Sequence, residues 1–88
     1  GAGGDERYHR DFNDTITCVA SSADGRQIAV GTHAAARGPG NKIVGHDAAT
    51  SDRLFALPIP KRPLLAMVFS PDGRTLAAGF NGIIQLWD

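Results

Sequence analysis

The sequence predicts an all-β chain: short antiparallel strands joined by tight turns into meanders, with helix content near nil. Three observations predict it. The chain repeats itself, because sliding it by 48 residues lays 18–33 over 66–81 without a gap. Ser22/Ser70, Asp24/Asp72, Gly25/Gly73, Arg26/Arg74, Ala29/Ala77 and Gly31/Gly79 then coincide. Chance supplies about one identity in such a window, so a duplicated unit is the better explanation. Next, Asp24-Gly25, Asp72-Gly73 and Asn81-Gly82 each separate short apolar runs. Glycine takes positive φ at little cost, which makes these pairs strong hairpin signals. Finally, no stretch carries a sustained apolar stripe at helical spacing, and 11 glycines and 5 prolines punctuate the 88 residues.

The elements follow in order. Residues 1–4, Gly1-Ala2-Gly3-Gly4, read as a flexible tail or a cloning scar outside the fold. With Met67 the only methionine, the chain reads as a processed product or an excised fragment. Residues 5–13 are expected to hold an outer strand at 7–12. There Arg7, His9 and Asp11 alternate with Tyr8, Arg10 and Phe12, a pattern suited to partial exposure. A first unit, 14–57, contains strands at 16–22, 26–32, 42–46 and 53–57, with the Asp24-Gly25 turn between the first two. A second unit, 58–88, contains strands at 65–70, 75–80 and 83–87 and stops before an outer strand. Residues 43–47 repeat as 84–88 at an offset of 41, so the first unit carries an insertion of 48 − 41 = 7 residues within 34–41. A period of about 41 residues matches a four-stranded propeller blade. The expected architecture is about two such blades per chain, completed into a ring by oligomerisation.

At this point the residues resemble a family. Ser70-Pro71-Asp72-Gly73-Arg74-Thr75-Leu76-Ala77-Ala78-Gly79, followed by Ile84-Gln85-Leu86-Trp87-Asp88, is similar to one repeat of the WD-repeat β-propellers. Ser22-Ala23-Asp24-Gly25-Arg26 through Ile43-Val44-Gly45-His46-Asp47 resembles a degenerate copy. The resemblance implies a fragment of a propeller whose loop faces and central channel serve protein partners. Repeats of this family often carry a hydrogen-bonded tetrad of His, Ser/Thr, Asp and Trp. Here only Trp87 fits its role: Asn81 stands at the turn position, Ala78 at the strand position, Lys61-Arg62-Pro63 where Gly-His is expected, and His46 replaces the first tryptophan. Blade stability is therefore expected to rest on apolar packing.

Composition narrows the function classes. Lys+Arg 9 balances Asp+Glu 9, which argues against a general nucleic-acid or anionic-membrane binder. The longest apolar run, Leu64–Phe69, is far short of the roughly 20 residues of a membrane-spanning helix. One cysteine, Cys18, forms no internal disulfide and reads as an inert thiol on an inner strand. His9, His33 and His46 have no metal-ligand spacing and read as separate surface or edge residues, so no metal or cofactor is expected. Asp24 and Asp72 occupy hairpin turns, where backbone geometry favours aspartate, rather than forming an acid–base pair. Nothing in the sequence supports catalysis.

Two blades leave two large apolar faces and two strand edges to be covered. The chain is expected to associate with itself in an even-bladed ring, or to complete a ring with other subunits. In that assembly Tyr8, Arg10 and Phe12 of one copy would pair with Ile84, Leu86 and Trp87 of another. Alternate connections of a meander emerge at opposite ends, so loops 34–41 and 58–63 share one end. They bring Arg37, Lys42, Lys61 and Arg62 into a basic rim suited to an acidic protein or peptide, although Asp11 and Asp14 lie nearby. The function read from the sequence is a noncatalytic protein-interaction scaffold. The alternatives are a structural subunit packed against a larger complex, or a metal-binding module assembled from histidines of several copies.

Overall fold

Alternating apolar and small residues, broken by Asp-Gly and Asn-Gly pairs, give seven strands in the computed structural model, which describes residues 15–33 and 41–88. They are β1 (Thr15–Ser21), β2 (Gln27–His33), β3 (Lys42–Asp47), β4 (Arg53–Pro58), β5 (Leu64–Phe69), β6 (Leu76–Phe80) and β7 (Ile83–Trp87). No helix occurs among the described residues. The strands form two antiparallel meanders, β1-β2-β3-β4 and β5-β6-β7. The strand expected at 7–12 and the tail at 1–4 lie outside the described residues.

The duplication seen in the sequence is also a duplication of register. Ile16 pairs with Thr32 and Cys18 with Gly31, with an irregularity between them. Forty-eight residues on, Leu64 pairs with Phe80 and Ala66 with Gly79, with the same irregularity. The turns repeat too. Asp24 accepts the Ser22 hydroxyl at 2.6 Å and the Arg26 N–H at 2.9 Å, while Gly25 N–H donates to the Ser22 carbonyl at 2.9 Å. Asp72 accepts from the Ser70 hydroxyl and from Arg74 N–H, and Gly73 N–H donates to the Ser70 carbonyl at 2.9 Å. Gly25 and Gly73 sit at φ 74° and 73°, where a Cβ is disfavoured.

Strand alternation gives each sheet two faces. The first sheet turns small residues, among them Cys18, Ala20, Ala29, Gly31 and Gly45, toward the second. The second answers with Leu64, Met67, Phe69, Leu76, Phe80 and Trp87. Large side chains thus seat on a floor of small ones, and Leu64, Phe69, Leu76 and Phe80 become buried. Each such burial stabilises by roughly 1.5–3 kcal/mol. Gln27 Nε2 donates to the Gly73 carbonyl across the sheets at 3.2 Å. Ala78 is buried in this apolar core.

Candidate interaction surfaces

The outward face of the second sheet is apolar and bare. Cross-strand rows put Val68, Ala77 and Leu86 together, with Ala66, Gly79 and Ile84 beside them. Val68, Leu86 and Ile84 are 62%, 67% and 78% exposed, and Leu65 is exposed too. By the 48- and 41-residue offsets, these six positions correspond to Ala20, Ala29, Gly45, Cys18, Gly31 and Ile43. Those are residues of the face by which the first sheet holds the second.

The first sheet's outward face differs from expectation. Ile16, Val19 and Leu54 are exposed, but Val30, Val44, Thr32 and His46 in its two middle strands are buried. The two apolar faces are therefore not equally bare. His46, read from the sequence as a surface or edge histidine, is 1% exposed. It sits in β3, opposite Ile28 of β2. His33 is exposed at the end of β2. No cluster of His, Cys, Asp or Glu with metal-binding geometry occurs among the described residues. Cys18 is half-buried against the core.

Of the residues expected to pair between copies, Ile84, Leu86 and Trp87 lie on β7, which is the edge of its sheet among the described residues. Ile84 and Leu86 face outward, whereas Trp87 packs inward against the core. Tyr8, Arg10 and Phe12 lie outside the described residues. Beside Trp87 a cleft of 190 Å³ opens between the sheets, walled by Phe55, Leu57, Phe69 and Leu76, with Gln27 and Arg74 among its polar residues.

The two ends of the meanders differ in charge. At one end Asp24 and Asp72 occupy turns and Asp47 ends β3, and each carboxyl is held below the ordinary aspartate range. The Ser22 hydroxyl and Arg26 N–H do this for Asp24, the Thr50 and Ala49 N–H groups for Asp47, and the Ser70 hydroxyl and Arg74 N–H for Asp72. Hydrogen bonds to the ionised form favour it. At the other end Lys61 and Arg62 are exposed and Lys42 is half-buried. Arg62 Nη1 donates to the Asn81 carbonyl at 3.1 Å, and Ile59 N–H to the Asn41 carbonyl at 3.3 Å. The loop 59–63 is thereby brought against the 81–82 turn and Asn41. Arg37 lies outside the described residues. The sequence missed the roles of Gly31 and Gly45, for which side-chain periodicity carries no signal.

The family profile described as "WD domain, G-beta repeat" matches residues 7–35 and 41–88. Among solved structures, the chain is similar to one titled "Complex of KlAtg21 with coiled-coil of AgAtg16". The identity is 24% and the TM-score 0.65, over 77% of this chain and 23% of that one. It is also similar to the Cps50 (Swd1) β-propeller domain of Myceliophteria thermophila. Here the identity is 21% and the TM-score 0.67, over 91% of this chain and 25% of that one. At these identities the likeness shows the fold alone, that of a β-propeller. The chain spans about a quarter of the length of either structure. No curated protein matches it.

Proposed function

The chain belongs to the WD40 repeat family, and from that premise we propose that it is a noncatalytic protein-interaction scaffold, a two-blade section of a propeller that works by assembly. The observation that carries this reading is the outward face of the second sheet. At Ala77, Gly79 and Ile84 it repeats Ala29, Gly31 and Ile43 of the face that the first sheet buries, yet Ile84 stands in solvent together with Val68 and Leu86. A contiguous apolar surface of this kind is a docking surface or an aggregation liability. Three or four copies with two blades each give six or eight blades, within the family's usual range.

Two finer features belong to the same proposal. The segment 7–12, through Tyr8, Arg10 and Phe12, pairs with the β7 edge of another copy and closes an otherwise unpaired strand. The basic end, with Arg37, Lys42, Lys61 and Arg62, receives an acidic protein or peptide. A structural relative bound to a coiled coil supports a protein partner as the class of ligand. Size exclusion coupled to light scattering at micromolar concentration tests the reading. A single species of several chains is expected; a well-folded 9.2 kDa monomer at every concentration would overturn it.

A further inference from the structure

We propose that Asn81 is a site of spontaneous covalent modification, where the Gly82 amide nitrogen closes on the Asn81 side chain and its carboxamide becomes a carboxylate, with Arg62 promoting the closure. The reaction needs only one copy of the chain, so its test and that of the assembly reading fail separately.

The chain has three tight turns of this kind, Asp24-Gly25, Asp72-Gly73 and Asn81-Gly82. In each, the glycine nitrogen can reach the preceding side-chain carbonyl carbon through a five-membered ring, with no Cβ to obstruct it. The structure protects two of the three. The Gly25 and Gly73 N–H groups donate to the Ser22 and Ser70 carbonyls at 2.9 Å, so both nitrogens are engaged. The Asp24 and Asp72 carboxylates accept from a serine hydroxyl and an arginine N–H. They are held ionised, a form that a nitrogen nucleophile attacks poorly. Asn41, the other described asparagine, is half-buried and precedes Lys42, whose side chain crowds the following nitrogen.

Asn81 and Gly82 are both exposed, and Gly82 sits at φ 83°. Among the described residues, no group accepts from the Gly82 N–H or bonds the Asn81 carboxamide. Arg62 Nη1 donates to the Asn81 carbonyl at 3.1 Å, and a Cβ on Gly82 would lie 3.6 Å from the same nitrogen. The guanidinium therefore lies against the peptide unit that joins the two residues. That unit's N–H must lose its proton before attack, and the negative charge is shared with its carbonyl oxygen. A cation donating to that oxygen favours the anion.

The deprotonated Gly82 nitrogen bonds to Asn81 Cγ, the carboxamide C–N bond breaks, and ammonia leaves with a proton from water. Water then opens the cyclic imide at either carbonyl, leaving aspartate or its β-linked isomer. In sum, carboxamide and water become carboxylate and ammonium, with no oxidant or reductant. One negative charge appears at the end of the meanders where Lys61 and Arg62 are exposed.

The test incubates the full chain, Arg62→Ala and Arg62→Lys at mildly alkaline pH in water enriched in oxygen-18, and reads tryptic peptides by mass spectrometry. Heavy oxygen should enter at Asn81, in the peptide that starts at Thr75, as a mixture of aspartate and isoaspartate. With strand circular dichroism unchanged, Arg62→Ala should slow this by roughly threefold or more, and Arg62→Lys should recover part of the rate. In denaturing urea, where the contact is lost, all three chains should react at one rate. No heavy oxygen at Asn81, or equal uptake at Asn41, would overturn the site. Equal rates in the folded parent chain and Arg62→Ala, or a difference that persists in urea, would overturn the role of Arg62.

Discussion

Replacing Gly31 with alanine tests whether the sheets are held by a small-residue floor under large side chains. The added Cβ falls 2.3 Å from Leu64 Cδ2 and 3.3 Å from Thr17 Oγ1. Carbon atoms rest at roughly 3.5–4.0 Å, so the Leu64 methyl must retreat by more than about 1 Å. Leu64 is 9% exposed, and its retreat displaces neighbours in the same core. Overpacking of this kind costs about 1–3 kcal/mol, while alanine recovers about 0.4–1 kcal/mol by restricting the unfolded chain. The expected net loss is about 1–2 kcal/mol, or roughly 5–15 °C in Tm for a chain of this size. Gly79→Ala is the internal control: the same residue in the same register, with open space around it. It should leave the isolated fold unchanged or slightly more stable. Urea unfolding followed by the emission of Trp87, the single tryptophan, measures both. Equal midpoints for the two variants, or a more stable Gly31→Ala, would refute this account of the interface.

Three other outcomes follow from the turns, the rim and the N-terminal segment. The carboxyls of Asp24, Asp47 and Asp72 titrate below their ordinary value in the fold. Their contribution is therefore complete above the ordinary value of about 3.9 and is lost as pH falls through the lower folded values. Thermal melts of the unmodified chain should decline in acid more steeply than those of a Ser22→Ala, Ser70→Ala variant, and parallel declines would count against the hydroxyl contacts. Replacing Arg37, Lys61 and Arg62 with serine should abolish salt-sensitive binding of an acidic peptide with the fold intact, as read by calorimetry at two ionic strengths. Binding that ignores the triple change would dismiss the rim. Deleting residues 1–4 should leave the sedimenting mass unchanged, whereas deleting residues 1–13 should reduce it or cause aggregation; an intact assembly after the longer deletion would remove the strand pairing.

The chain's strands and turns were legible because their signals are local. Asp24-Gly25 and Asp72-Gly73 announce the turns, and the apolar alternation of 83–87 predicts β7 at its observed bounds. Other strand bounds moved by about a residue: Ser22, placed in the first strand, instead caps the turn, its N–H donating to the Gln27 carbonyl at 3.0 Å. What the sequence could not show depends on what other strands bring over a position, within a sheet as well as between sheets. Gly31 reads as a weak strand residue until Leu64 is placed over it, and Gly45 until the Phe55 ring covers it. The buried state of His46 was missed for the same reason, since a histidine gives no periodic signal of which face it occupies. The bare and covered outward faces were equally invisible, because apolar content alone does not distinguish Val68 from Val30.

The central claim is that the outward face of the second sheet is buried by another copy. Relaxation of the Val68, Ile84 and Leu86 methyl groups by a soluble paramagnetic agent measures their solvent contact directly, at concentrations below and above the assembly threshold. The account predicts strong relaxation of all three in dilute solution and loss of it, in all three together, as the assembly forms. Full relaxation of these methyls in an assembled sample would contradict it.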